Sequence, residues 1–362
     1  MIIHQILRRY SNALISHFAN SWMIFLALVS LPGSVPAQTD SHWNLVNNPD
    51  ERKVKVFFEG KLFTEFIYPD SLEKPVLYPI HAADGAMVTR GFPLMPRSGE
   101  PTDHPHHLGL WLNYENVNRL DFWNNSYAIP SDKKNAYGWI RTNKIIELRS
   151  GPEAHLSYSA NWVDQQKNVL LSERTQFIFS AKANERIIDR ITTLEAQTNV
   201  LLADAKDGFL GLRVAHELEL PSAQPKEFRD DKGNVTKVAA DPNVNGNYLT
   251  SEGKTGDSAW GTRARWCLMY GKIKADSISI VIIDHPANPG YPCFWHARGY
   301  GLFAANPLGQ KIFSNGKMEM NLSLKKGESV SFRYRIVIAS GDHILTVTRI
   351  DELASRFARE IR

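Results

Sequence analysis

Cysteine is nearly missing from this chain: Cys267 and Cys293 are the only two in 362 residues. Two thiols are too few to scaffold a protein of this length. In an oxidising compartment they allow one bridge, and two buried thiols account for them equally well. Blocks of like charge are missing too. The net charge of +4 and pI near 8.9 are spread along the chain with no run of five or six like charges. Neither a nucleic-acid nor a membrane-surface footprint is therefore expected. After residue 40 no apolar run approaches the roughly 20 residues of a spanning helix. The His-Glu-x-x-His, Gly-x-Ser-x-Gly, Gly-x-Gly-x-x-Gly and phosphate-loop patterns are absent, which argues against a metalloprotease, a serine hydrolase or a nucleotide enzyme.

What is present begins with a targeting signal. Arg8 and Arg9 precede an apolar stretch from Trp22 to Leu31, and Val35-Pro36-Ala37 comes after it. A core of about 10 apolar residues fits a signal peptide and is too short to span a bilayer. Residues 1–37 are read as a signal peptide and 38–362 as one mature domain that is periplasmic or secreted. An uncleaved anchor would place that domain outside the cytoplasm as well.

The mature chain alternates with period two. Val54 to Phe58 and Leu62 to Tyr68 flank Glu59-Gly60-Lys61, a hairpin signature. Further strands are expected at Lys144–Leu148, His155–Val163, Val169–Ser180, Arg186–Leu194, Leu210–Leu218, Arg263–Tyr270, Ser277–Ile283, around Phe303 and at Ser331–Ala339. Helical spacing occurs once, from Val347 to Ala358, with Thr348 or Asp351 as the expected N-cap. Many strands without intervening helices imply an all-β, mainly antiparallel protein, a large β sandwich with one C-terminal helix. The segments 94–103 and 221–259, rich in Pro, Gly, Asp and Asn, read as irregular, the second as a surface excursion or lid.

The chemistry is concentrated in three segments. Asp103-His104-Pro105-His106-His107 runs into Trp111 and Trp123; read as extended, it would send His104 and His106 to one side and His107 to the other. Asp284-His285-Pro286 leads to Trp295, His296, Arg298, Tyr300 and Asn306. The third segment, Asp204 to Asp207, offers two carboxylates around Lys206 or a polar turn. Histidine titrates nearest neutral pH and is the commonest metal ligand, so His104, His106, His107, His285 and His296 suit acid–base work with Asp204, Asp207 and Arg298. A divalent transition metal held by His104, His106, His285 and His296 is the variant reading. Trp111, Trp123, Trp295, Tyr300 and Asn306 would contact a small-molecule or oligosaccharide ligand. The repeated Asp-His-Pro motif suggests that both segments meet in one pocket.

These motifs, with Asp121-Phe122-Trp123, Trp260-Gly261 and Tyr300-Gly301-Leu302, resemble those of the secreted PmoA-like proteins, often labelled "methane oxygenase PmoA". Leu108 is a departure where arginine or serine is common. The resemblance implies a sandwich similar to the galactose-mutarotase superfamily, a supersandwich, and a carbohydrate-active role. Without a spanning segment after residue 40, membrane-type methane monooxygenase activity is not expected. The sequence therefore points to a sugar-modifying enzyme of epimerase, lyase or hydrolase type, or to a non-catalytic sugar-binding sandwich.

Overall fold

The computed structural model describes residues 42–229, 235–238, 240–241, 244–341 and 345–360. The signal-peptide reading lies outside the described residues. Two eight-stranded antiparallel sheets dominate. The first runs, in spatial order, Trp43–Asn48, Lys53–Phe58, Lys61–Ile67, Val76–Ile80, Leu110–Tyr114, Gly208–Arg213, Leu302–Asn306 and Phe294–Ala297. The second runs Asn247–Thr250, Trp266–Ile273, Asp276–Asp284, Ser329–Ser340, Glu185–Ala196, Val169–Lys182, Ala154–Val163 and Trp139–Arg149. The expected all-β sandwich is what forms.

An extra strand, Trp43–Asn48, precedes the expected hairpin and pairs with Lys53–Phe58, and the hairpin Lys53–Phe58/Lys61–Ile67 is set by its turn. Phe58 pairs with Lys61, so the loop is two residues long, and Glu59 and Gly60 both take positive φ (49° and 74°). That geometry matches the right-handed twist of the flanking strands.

Period two decides which face each residue buries. In Asp276–Asp284, Ile278, Ile280 and Ile282 enter the main core with Phe209, Phe332 and Tyr158, whereas Val281 and Ile283 point the other way. That opposite face is covered by the helix Val347–Glu360 through Ile350, Leu353 and Phe357. Burying each such side chain stabilises by about 1.5–3 kcal/mol. The helix is capped by Thr346, whose Oγ1 accepts from the Arg349 amide at 3.2 Å, not by Thr348 or Asp351. Both expected caps fall inside the helix.

Three other expectations need correction. The 221–259 stretch is not wholly irregular: it contributes the pair Lys226–Arg229 and Val235–Val238, the edge strand Asn247–Thr250 and a 3-10 turn at Gly256–Ala259. The Leu210–Leu218 strand is instead Gly208–Arg213 followed by a 3-10 turn at His216–Leu218. Residues 104–107 are a turn rather than a strand, with the His107 amide donating to the His104 carbonyl at 3.0 Å. Both cysteines are buried free thiols.

One row of the first sheet positions two of the expected site residues. Trp111 pairs with Gly211, Gly211 with Ala304 and Ala304 with His296. Leu110 and Leu112 beside Trp111, and Trp295 and Ala297 beside His296, face the main core, so Trp111 and His296 stand on the outer face. Strands lie about 4.8 Å apart, which sets the two roughly 14 Å from each other along the row. The Trp111 indole lies across Gly211, where an added Cβ would sit 2.5 Å from Cζ2. Because Trp111 is fully buried, it cannot move aside. Gly211→Ala should therefore lower stability by about 1–3 kcal/mol through overpacking; urea unfolding checks this, and an unchanged midpoint would contradict the close approach.

Candidate active site

The outer face of the first sheet carries its own apolar cluster of Val76, Tyr78, Leu108, Trp111, Trp123, Leu302 and Ala304. The histidine turn rests on it. His107 stacks on Trp111 at 5.3 Å and 21°, His104 on His107 at 4.8 Å and 3°, and Tyr300 on His104 at 5.0 Å and 6°. His106 meets His107 edge to face at 4.4 Å. Lys74 supports the turn from below, donating to the His106 carbonyl at 2.7 Å and lying 5.4 Å from the Trp111 ring. Burial lowers the Lys74 pKa to about 8.

Asp103 fixes this arrangement. Its fully buried carboxylate accepts from Arg90 at 2.9 Å and Arg213 at 3.1 Å, and from Nδ1 of His104. Arg90 also donates to the carbonyls of Asp103 and His104 at 2.9 and 3.0 Å. Burial alone would raise the Asp103 pKa, but Arg213, the His104 hydrogen bond and Arg90 outweigh it and hold the carboxyl well below the usual range. Glu219, also buried, lies 3.8 Å from Arg213, so two guanidinium groups face two carboxylates. Charges taken out of water in this way persist only when paired.

Donor chemistry assigns the tautomers. A carboxylate only accepts, so His104 carries its proton on Nδ1 and keeps Nε2 for exchange. Arg213 only donates and lies 3.1 Å from His107 Nδ1, so the His107 proton sits on Nε2. His106 and His107 are pushed well below the ordinary histidine pKa, first by burial and then by neighbouring positive groups. His104 differs from both: its side chain is 36% exposed, and its backbone holds a φ of +47°, uncommon for a residue other than glycine.

His296 stands at the other end of the row, with Nδ1 3.5 Å from Asp207 Oδ1 but not aligned for a hydrogen bond. Burial, helped by Lys206, Arg298 and His104, lowers its pKa to about 3. Asp207 is raised by burial against the lowering effect of Lys206, Asn124 and His104. Glu115, raised by burial and by the charge of Asp207, accepts from the Asp207 amide at 2.8 Å. Among the described residues the buried Nδ1 atoms of His106 and His296 have no hydrogen-bond partner, the state of groups that await a ligand or water.

Other expected site residues serve the fold. Asp204 accepts from the amides of Gln310, Lys311 and Met320 and anchors the short helix Gln310–Phe313. Asn306 donates to the carbonyls of Ala205 and Lys206 and accepts from the Leu308 and Gly309 amides. Trp295 is a core residue that donates to the Ala264 carbonyl at 3.0 Å. Trp111 and Trp123 are buried behind the histidines and offer no face to a ligand. Tyr300 and Trp260 are the partly exposed rings nearby.

The two Asp-His-Pro segments are not brought together. Asp284 ends a strand of the second sheet, paired with Tyr334, and His285 packs edge to face on Phe357 of the terminal helix at 5.0 Å. His285 Nδ1 accepts from the Ala287 amide at 3.0 Å. Among the described residues no group of three or more His, Cys, Asp or Glu is placed to hold a metal ion, so His104, His106, His285 and His296 do not form a ligand set. Arg90, Arg213 and Lys74 were not expected at the site. Their signal was a cation at the end of an apolar strand or beside one, which sequence alone does not assign to a partner.

A family model matches residues 53–355. The chain belongs to the family of unknown function DUF6807. That description names no reaction and does not support the PmoA label that the motifs resemble. No curated protein matches. Among solved structures, the chain is similar to the GH36 alpha-galactosidase AgaB of Geobacillus stearothermophilus, at 10% identity and TM-score 0.38, over 83% of this chain and 41% of that one. It is similar to the galactosidase domain of an alpha-galactosidase-sucrose kinase, at 8% identity and TM-score 0.40, over 83% and 42%. A GalM/aldose epimerase homologue from C. elegans is similar at 13% identity and TM-score 0.33, over 84% and 99%. The chain thus spans about two fifths of the length of the galactosidases. None of these scores reaches 0.5, and none carries an argument about the reaction.

Two substitutions test this geometry. Asp103→Asn keeps shape but leaves two buried guanidinium groups undercompensated, and should cost about 3–5 kcal/mol in urea unfolding. A loss below about 1 kcal/mol would show that the pairing contributes little. For His296 the folded pKa is depressed, so as pH falls below about 6.5 the unfolded state binds a proton that the folded state does not, and stability is lost. Stability of wild type should fall more steeply than that of His296→Gln between pH 6 and 4, by up to about 1.4 kcal/mol per pH unit. Parallel curves would refute a buried neutral His296.

Proposed function

We propose that this chain is an exported carbohydrate-active enzyme that moves protons on a sugar, of the epimerase, lyase or hydrolase type. The observation that carries the reading is the half-open His104, oriented by the buried Asp103 carboxylate, within electrostatic reach of the Asp207–His296 pair. A buried carboxylate fixes the tautomer of His104, which leaves Nε2 as the exchanging atom. His296 stays unprotonated at neutral pH but its lowered pKa makes it a weak base, whereas Asp207, with its pKa raised, has a stronger hold on a proton than an exposed carboxylate and is the better base of the pair. Acid and base roles are thus divided between His104 on one side and Asp207 with His296 on the other. Tyr300, a partly exposed ring stacked on His104, adds aromatic surface of the kind found at sugar sites. Support for a sugar as the ligand comes also from the PmoA-like motif resemblance, and for export from the signal-like residues 1–37.

The test is a screen of neutral, acidic and oxidised monosaccharides and oligosaccharides with the mature protein, His104→Gln and Asp207→Asn. Loss of turnover by about 100-fold or more in each variant, with the circular dichroism of wild type, is the expected result. A sugar bound by wild type but left unchanged would make the protein a non-catalytic sugar-binding sandwich. Turnover indifferent to both substitutions would remove these residues from the chemistry.

A further inference from the structure

Beside the histidine turn lies a cavity of about 500 Å³ whose lining includes Ser222, Asp257, Trp260, Arg298 and Tyr300. Arg298 sits in the turn between the strands Phe294–Ala297 and Leu302–Asn306. Its backbone is clamped: the amide donates to the Leu302 carbonyl at 2.7 Å, and its carbonyl accepts from the Gly301 amide at 2.9 Å and the Tyr248 hydroxyl at 3.2 Å. The guanidinium lies between two rings, 5.3 Å from the centre of Trp260 and 5.7 Å from that of Tyr300. Among the described residues no carboxylate or carbonyl accepts a hydrogen bond from it. This contrasts with Arg90, Arg213, Arg263 and Arg335, each of which donates to protein oxygens. Trp260 adds a second idle donor, since its buried Nε1 has no acceptor either.

Cation–π contacts with the two rings engage the guanidinium without using its N–H groups, and a planar fork of unused donors matches a carboxylate bidentately. Asp257, on the same wall, only accepts when ionised, which suits the hydroxyls of a ligand and opposes a bare anion. Tyr300 joins the cavity to the proton-transfer site, because its ring stacks on His104 at 5.0 Å. We propose that this cavity binds the carboxylate of an acidic sugar, a uronic acid residue, with Arg298 and the Trp260 indole N–H donating to the carboxylate and Asp257 accepting from ring hydroxyls. The proposal names the substrate class of the site described above and rests on that reading for the reaction, though not for the binding.

Calorimetric titration of the mature protein with D-glucuronate, D-galacturonate, D-glucose, D-galactose and acetate tests it. The two uronates should saturate a single site at least tenfold more tightly than their neutral parents or acetate. Arg298→Gln should weaken uronate binding on the order of ten- to hundredfold. Arg298→Lys keeps the charge but not the fork and should fall between. Trp260→Phe keeps the ring and removes the donor, so a smaller loss is expected. Neutral sugars binding as tightly as uronates would overturn the proposal, as would acetate binding as tightly, or undiminished uronate affinity in a normally folded Arg298→Gln. Turnover of a neutral sugar that depends on His104, without uronate binding, would overturn this proposal alone. Uronate binding that depends on Arg298, without turnover of any sugar, would uphold it and remove the proposed reaction.

Discussion

One buried carboxylate organises the outer face of the first sheet. Asp103 is reached by Arg90, Arg213 and His104 at once, from three separated parts of the chain. Each guanidinium would be costly alone in this apolar surrounding, and breaking such a set leaves charge uncompensated. The same contacts that neutralise the arginines also orient His104 and, through Arg213, decide which nitrogen of His107 is protonated. Electrostatic necessity and site geometry are thus the same set of bonds.

The two sheets divide labour. The second is covered on one face by the main core and, over the strands Trp266–Ile273, Asp276–Asp284 and Ser329–Ser340, on the other by the terminal helix, and His285, just past one of these strands, is a packing residue against Phe357. The first presents its outer face to the histidine turn and to the Arg298 turn. Residues 204–207 are tied to it through Asp204 and Asn306, so the Asp207 carboxylate is held by a frame of backbone hydrogen bonds from its neighbours.

Much of this was legible in the sequence, for identifiable reasons. The hairpin Lys53–Phe58/Lys61–Ile67 shows alternation around a two-residue turn, and the terminal helix shows Ile350, Leu353 and Phe357 at helical spacing, because each element buries one face only. Strands such as Leu110–Tyr114 and Leu302–Asn306 are buried on both faces and lose the alternating signal. The histidine turn stood out as a local concentration of one residue type. Its partners Arg90, Arg213 and Lys74 did not, since a long-range pairing leaves no local pattern. The repeated Asp-His-Pro misled because a tripeptide carries no information about which sheet its strand joins: Asp284 pairs with Tyr334, while His104 lies over Trp111 and His107.

With no side chain at Gly211, the Trp111 indole lies flat on the sheet, and His107 and then His104 stack on it as parallel plates. The elevation of the exchanging imidazole is therefore gauged in ring thicknesses, with His107 as a shim. A planar replacement for His107 would keep that elevation, whereas a branched aliphatic one would tilt the plate above it. A change of shim, rather than of the reacting group, would therefore shift where His104 Nε2 stands above the sheet.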